Sequence, residues 1–268
     1  MASFDFDQAE GLRRMLAGPK PRVFTFLSAA SPEEKGAMLV NLGASLGQAG
    51  RDVLLLDACL GQDGIATRLK ATRGASLMQV ARNERSLDDV IQLMPQGFAV
   101  AALSRGPSRM EKDSEQARRL EDAFGVLAKR ADIMVVDAEL DKEDNFAIPA
   151  LTSSEIVVQV SNNPASIKNA YAIIKRVNGR LGRRPFSLLV TGASEKEAQV
   201  VFENMAQVAK RYLAVKLNSM GSVPADEHLK RAMHLGRAVV DAFPLAGASV
   251  AFRKLAGRVV LSEVATAG

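Results

Sequence analysis

Short apolar runs recur along this chain, at Val23–Leu27, Val53–Leu56, Ala99–Leu103, Ile133–Val136, Ile156–Val160 and Phe186–Val190, and they limit its fold more than any other feature. Between most of them lie helix-length segments with apolar residues at three- and four-residue spacing: Ala37–Leu46, Leu120–Leu127, Ile167–Val177 and Ala198–Leu213. Short apolar strands alternating with amphipathic helices predict an α/β fold, a doubly wound and mainly parallel sheet with helices on both faces. A chain of 268 residues with 47% hydrophobic content is large enough to bury such a core. No internal repeat or low-complexity linker divides it, so residues 19–268 are expected to form one domain. Residues 1–18 stand apart, because a helical segment at Asp7–Leu16 ends at the breaker Gly18-Pro19-Lys20-Pro21.

The first strand leads into Ser28-Ala29-Ala30-Ser31-Pro32-Glu33-Glu34-Lys35-Gly36, the place where a sheet of this kind puts a phosphate-cradling loop. Such a loop needs glycines, so that successive N–H groups curl around the anion, then a lysine and a hydroxyl residue for the metal. Only Lys35 is in place. Ala29 and Glu34 hold the glycine positions, Gly36 holds the hydroxyl position, and Pro32 removes a donor. Glu33 and Glu34 would face a polyphosphate, and two like charges about 4 Å apart repel by ~4 kcal/mol at an effective dielectric near 20. The same residues make a sound helix start: Ser31 as N-cap, Pro32 at the first helical position, and Glu34 closing a capping box. Acidic residues there suit the helix dipole, so the chain supplies internally the anion that a phosphate would otherwise be.

Composition narrows the function classes. No apolar run approaches the ~20 residues that span a bilayer, and the N-terminus lacks a signal peptide's apolar stretch, so a cytoplasmic protein is expected. The single cysteine, Cys59, excludes an internal disulfide and a cysteine-cluster metal site, and His228 and His234 lack helical ligand spacing. No metal centre is expected, and both histidines read as surface or helix-end residues. The net charge of +5 permits contact with nucleic acid, but the charges are mixed along the chain and stacking aromatics are scarce. Nucleic acid is therefore not the expected partner.

Two aspartates follow apolar strands, Asp57 after Val53–Leu56 and Asp137 after Ile133–Val136, at the carboxyl edge where such sheets place their chemistry. In a working phosphoryl-transfer site one would orient water or metal and the other would hold magnesium. The alternative is that each caps the next turn. Their order behind the strand, Lys35 and helix favours an inherited site, now vestigial, with Lys35 and Gly36 as what remains of its cofactor-binding loop.

With these features the chain resembles the MinD/ParA family of deviant-Walker ATPases, and within it the FlhG/FleN-like regulators of flagellar number. The family's loop S-G-K-G-G-V-G-K-T is replaced here by Ser28 to Gly36, followed by the familiar Val40-Asn41-Leu42. Its motif L-L-D-A-D-L-G appears as Leu55-Leu56-Asp57-Ala58-Cys59-Leu60-Gly61, with Cys59 at the second aspartate. Its Walker B strand is similar to Asp132–Asp137, and its S-D-E…P-x-x-x-x-D-A-Y-x-x-I-K segment to Ser153–Lys175. Ala30 stands for the lysine that in this family reaches the partner's nucleotide, and Thr191 for an asparagine that reads adenine. Losing both argues against ATP-dependent dimerisation as well as hydrolysis, although a homodimer stays open.

Asp7-Gln8-Ala9-Glu10-Gly11-Leu12-Arg13 is similar to the subgroup's D-Q-A-x-x-L-R element, which implies a helix docking on an FlhF-type GTPase. Gln8 and Arg13 would then make the polar contacts, and Ala9 and Leu12 the apolar ones. The resemblance thus implies a degenerate regulator of flagellar placement, number or synthesis that acts through an FlhF-like GTPase or a transcriptional activator, without ATP as cofactor. Alternatives are a divergent active ATPase using ATP and Mg at Lys35, Asp57 and Asp137, and a ParA-like partition or DNA-binding protein. Family members also often end in a membrane-targeting helix, here Val250–Leu261, which would place the protein peripherally at the inner face of the cell membrane. A helix packed on the sheet is the favoured reading of that segment.

Overall fold

The computed structural model describes residues 21–59, 64–71, 74–104 and 114–266. The expected docking helix, with Gln8, Ala9, Leu12 and Arg13, lies outside the described residues.

An eight-stranded sheet runs through the molecule in the order β3-β4-β2-β5-β1-β6-β7-β8. Its strands are β1 (Arg22–Ser28), β2 (Val53–Ala58), β3 (Gln92–Leu93), β4 (Ala99–Ala102), β5 (Ile133–Ala138), β6 (Glu155–Ser161), β7 (Phe186–Thr191) and β8 (Leu217–Val223). All neighbours pair in parallel except β3 with β4. All of the expected strands are therefore present, within a residue or two at each end. The edge strands β3 and β8 are additions. Leu-Asn-Ser-Met-Gly-Ser-Val lacks an apolar run, because β8 is covered by neighbours on one edge only and carries a bulge at Met220.

The helices are α1 (Pro32–Gln48), α2 (Ile65–Arg68), α3 (Leu77–Ala81), α4 (Ser114–Ala128), α5 (Pro164–Leu181), α6 (Glu195–Leu213), α7 (Glu227–His234), α8 (Val239–Ala242) and α9 (Gly247–Thr266). The sheet separates two cores. One, with Leu54, Leu56, Met134 and Val136, packs against α3, α4, α5 and α6; the other, with Val53, Leu55, Ile133 and Val135, packs against α1, α8 and α9. His228 and His234 fall near the start and at the end of α7, as their reading required.

The final helix settles one expectation. Phe252, Leu255, Ala256 and Val259 are all buried in the second core, so the apolar face proposed for a membrane is already covered by the protein itself. Among the described residues, α9 leaves Val250 and Leu261 as its exposed large apolar side chains. Among the described residues no helix is long and apolar enough to cross a membrane.

Candidate functional site

Alternation along the strands brings the two aspartates together. In β2 the side chains of Val53 and Leu55 face the core under α1, so Asp57, two residues on, faces the same way; in β5 the same holds for Ile133, Val135 and Asp137. Asp57 and Asp137 are also register partners on adjacent parallel strands. Both carboxylates therefore lie at one point, beneath the first turn of α1, which carries Lys35.

Lys35 reaches down into that point. Its Nζ lies 2.9 Å from Asp137 Oδ1, 3.5 Å from Cys59 Sγ and 3.8 Å from Glu139 Oε1. Burial works against the charge, but Asp137, Cys59 and Glu139 outweigh it and hold the ammonium above its ordinary range. Asp57 is pushed up to about 6 by burial and by the neighbouring Asp137, against the opposing amides of Ala66 and Cys59 and the charge of Lys35. Burial and Asp137 likewise raise the Cys59 thiol above its ordinary value, which favours the protonated form.

The aspartates also have structural work. Asp57 Oδ1 accepts from Cys59 N at 3.1 Å and its Oδ2 from Ala66 N at 2.9 Å, while Asp137 Oδ2 accepts from Ile65 N at 3.0 Å. Both cap α2, whose preceding Gly64 offers no side-chain cap. Gly64 is required there, since a Cβ at that position would lie 2.2 Å from the Asp57 carboxylate oxygens. The sequence pointed to caps only as an alternative, and nothing in it marked Gly64.

The turn itself closes on its own backbone. Helix α1 begins at Pro32, so only Ala29–Ser31 connect it to β1, and Pro32, Glu33 and Glu34 are already helical. Ser31 and Glu34 form the expected capping box, at 3.2 Å in both directions. Three more amides of the turn are engaged: Ala29 N donates to Gln159 O, Ala30 N to Ser28 Oγ and Lys35 N to Ser31 O. Glu34 Oε2 further accepts from Ser161 Oγ at 2.8 Å, and Ser166 Oγ donates to Ala29 O at 2.9 Å. Ser161 and Ser166 were not singled out from sequence, because the pairing of β6 with β1 that brings them here is a tertiary event.

Gly36 lies under Arg68, whose Cδ would be 2.6 Å from a Cβ at that position, so a hydroxyl residue there would displace the arginine. Thr191 is buried on β7, and its hydroxyl accepts from Gln159 Nε2 and donates to Val160 O, both at 3.4 Å within the sheet. The ligand atoms of Asp57, Cys59 and Asp137 lie within 4.8 Å of one another, a spacing that suits a metal ion. A magnesium–nucleotide does not fit these residues: the ammonium of Lys35 already neutralises Asp137, Cys59 is a soft donor where a carboxylate would serve a hard cation, and most of the amides that would cradle phosphate are engaged.

Over 222 residues the chain is 34% identical to the antiactivator FleN of Pseudomonas aeruginosa, a match that spans 82% of this chain and 79% of that protein. Among solved structures it is similar to the septum site-determining protein MinD complexed with Mg-ADP from Pyrococcus horikoshii, with a TM-score of 0.66 at 17% identity over 89% of this chain and 96% of that one. It is also similar to a ParA family ATPase from Chlorobium tepidum, with a TM-score of 0.63 at 17% identity over 88% and 98% of the two chains. The chain matches no protein-family model.

Proposed function

This chain belongs to the MinD/ParA family, in the branch of the antiactivator FleN, and from that premise we propose that it regulates bacterial flagella through protein contacts, without ATP turnover. The observation that carries the second half is the closed turn. Of the N–H groups from Ala29 to Lys35, those of Ala29, Ala30, Ser31, Glu34 and Lys35 donate within the protein, Pro32 has none, and Glu33 N alone is left over, beside two carboxylates that repel a phosphate. A phosphate arriving there would have to break a capping box and the Lys35–Asp137 ion pair together. The three polar side chains that such chemistry uses, Lys35, Asp57 and Asp137, serve instead to neutralise one another and to cap α2.

In this reading residues 19–268 are a rigid platform and residues 1–18 are the part that docks, through Gln8, Ala9, Leu12 and Arg13. The partner is an FlhF-type GTPase or the transcriptional activator that an antiactivator restrains. Two measurements test the proposal. Phosphate release from saturating Mg–ATP should stay at background, and removing residues 1–18 should abolish partner capture while leaving the melting temperature unchanged. Turnover lost on Lys35→Ala would instead establish a divergent ATPase, and partner binding that survives the deletion would move the docking surface to the α/β domain.

A further inference from the structure

The outer side of α1 lines a second cleft, distinct from the crevice at the strand ends. Gly36, Ala37 and Val40 form one part of a cavity of about 500 Å³, together with Arg68–Lys70 at the end of α2 and with Met233, Gly236 and Arg237 where α7 ends and turns toward α8. Gln96 joins it to the β3–β4 connection, with Nε2 donating to Gly236 O at 3.0 Å. A volume of this size lies within the roughly 300–1,000 Å³ of small-molecule sites.

Its charge is one-sided. Arg68, Lys70 and Arg237 line the cleft against a single carboxylate, Glu33, which is 66% exposed and 3.8 Å from Arg68. Guanidinium and ammonium groups in this arrangement suit phosphate oxygens. Val40, Leu69 and Met233 add an apolar wall, and Met233 is 46% exposed. One polar atom is left over: Gln96 Oε1 is buried and accepts no hydrogen bond among the described residues, although its Nε2 is satisfied. A buried acceptor without a donor costs about 1–3 kcal/mol, and a ligand N–H or O–H would remove that cost.

We propose that this cleft binds a phosphate-bearing nucleotide, separately from the inherited site. Arg68, Lys70 and Arg237 take the phosphates, Val40, Leu69 and Met233 cover the base, and Gln96 Oε1 accepts from an amino or hydroxyl group of the nucleoside. Cations alone would hold tripolyphosphate as well as ATP; the apolar wall and the orphan acceptor are what select the nucleoside.

Calorimetry on the full chain with ATP, GTP, tripolyphosphate and adenosine tests this, alongside photolabelling with 8-azido-ATP. The expected result is binding of ATP or GTP, with tripolyphosphate and adenosine each at least about tenfold weaker. The label should fall on peptides containing Leu69 or Met233. Lys70→Glu with Arg237→Glu should weaken nucleotide binding by about tenfold or more, and Val40→Trp, which fills the cleft without touching its charges, should do the same. The proposal is overturned by no heat with either nucleotide at millimolar concentration, by tripolyphosphate binding as tightly as ATP, or by affinity unchanged in both variants. Label on Ser28–Lys35 or Asp137 would also overturn it, by placing the nucleotide in the inherited crevice.

Discussion

The two sides of α1 differ in how their polar atoms are satisfied. On the inner side, Lys35, Asp57, Ser31 and Glu34 find partners within the chain, and Asp137 Oδ1, which makes no hydrogen bond among the described residues, is held by the Lys35 ammonium at 2.9 Å. On the outer side, three cations line a cleft against one acid, and a buried carbonyl oxygen of Gln96 has no donor among the described residues, although Arg68 meets Glu33 and Arg237 donates to Asp241 O. A site that holds a ligand must keep some of its hydrogen-bonding capacity unused until the ligand arrives. By that measure the inherited crevice has become structure, and the outer cleft has the character of a site.

If the inner side is structural, removing its parts should cost stability rather than activity. The largest effect is expected for Lys35→Met, which leaves Asp137 buried without its cation; breaking a buried pair costs about 3–5 kcal/mol, to be read from urea unfolding. A nearly neutral result would mean that the crevice is open and hydrated, and would break the comparison. Gly64→Ala should follow, at about 1–3 kcal/mol by the same measurement, since its methyl collides with the Asp57 carboxylate.

A pH-dependent effect should come from Asp57. Its folded-state value of about 6 lies above the ordinary carboxylate value of 3.8, so the folded protein retains this proton when the unfolded chain has lost it. Its contribution is present in full below the ordinary value and is lost as pH rises toward and through about 6. Relative to wild type, Asp57→Asn should therefore gain stability between pH 4 and pH 7, measured as the difference in unfolding free energy. A flat difference would show that Asp57 is already ionised at pH 4. The smallest change is Ser31→Ala, expected to cost about 1 kcal/mol through loss of the α1 cap, with no gain of nucleotide binding at the turn.

Much of this arrangement was legible before any coordinates. Apolar runs located the six long buried strands because a central strand is covered on both faces, and Ser31-Pro32-Glu33-Glu34 announced its capping box because that motif is local. Strand β8 was not legible, since its Asn218, Ser219 and Ser222 sit at a sheet edge where no apolar run is demanded. The short helices α2, α3, α7 and α8 were missed as well, because four to eight residues carry too little periodicity. Lys35 and Asp137 were each visible as remnants of a site, but the ion pair that joins them was not.

What the sequence alone determined is the α/β architecture, the loss of a glycine loop and the means by which α1 begins without phosphate. These depend on neighbours within a few positions, where side-chain type and spacing act directly on the backbone. Only the tertiary structure decided that Asp57 and Asp137 cap α2, that Gly64 must lack a side chain, that the apolar face of α9 is covered, and that Arg68, Gln96 and Arg237 share one cleft. Most of those join residues far apart in the chain, through strand register and packing across the sheet, and even Asp57 and Gly64, seven positions apart, meet only because the chain turns back at the strand end.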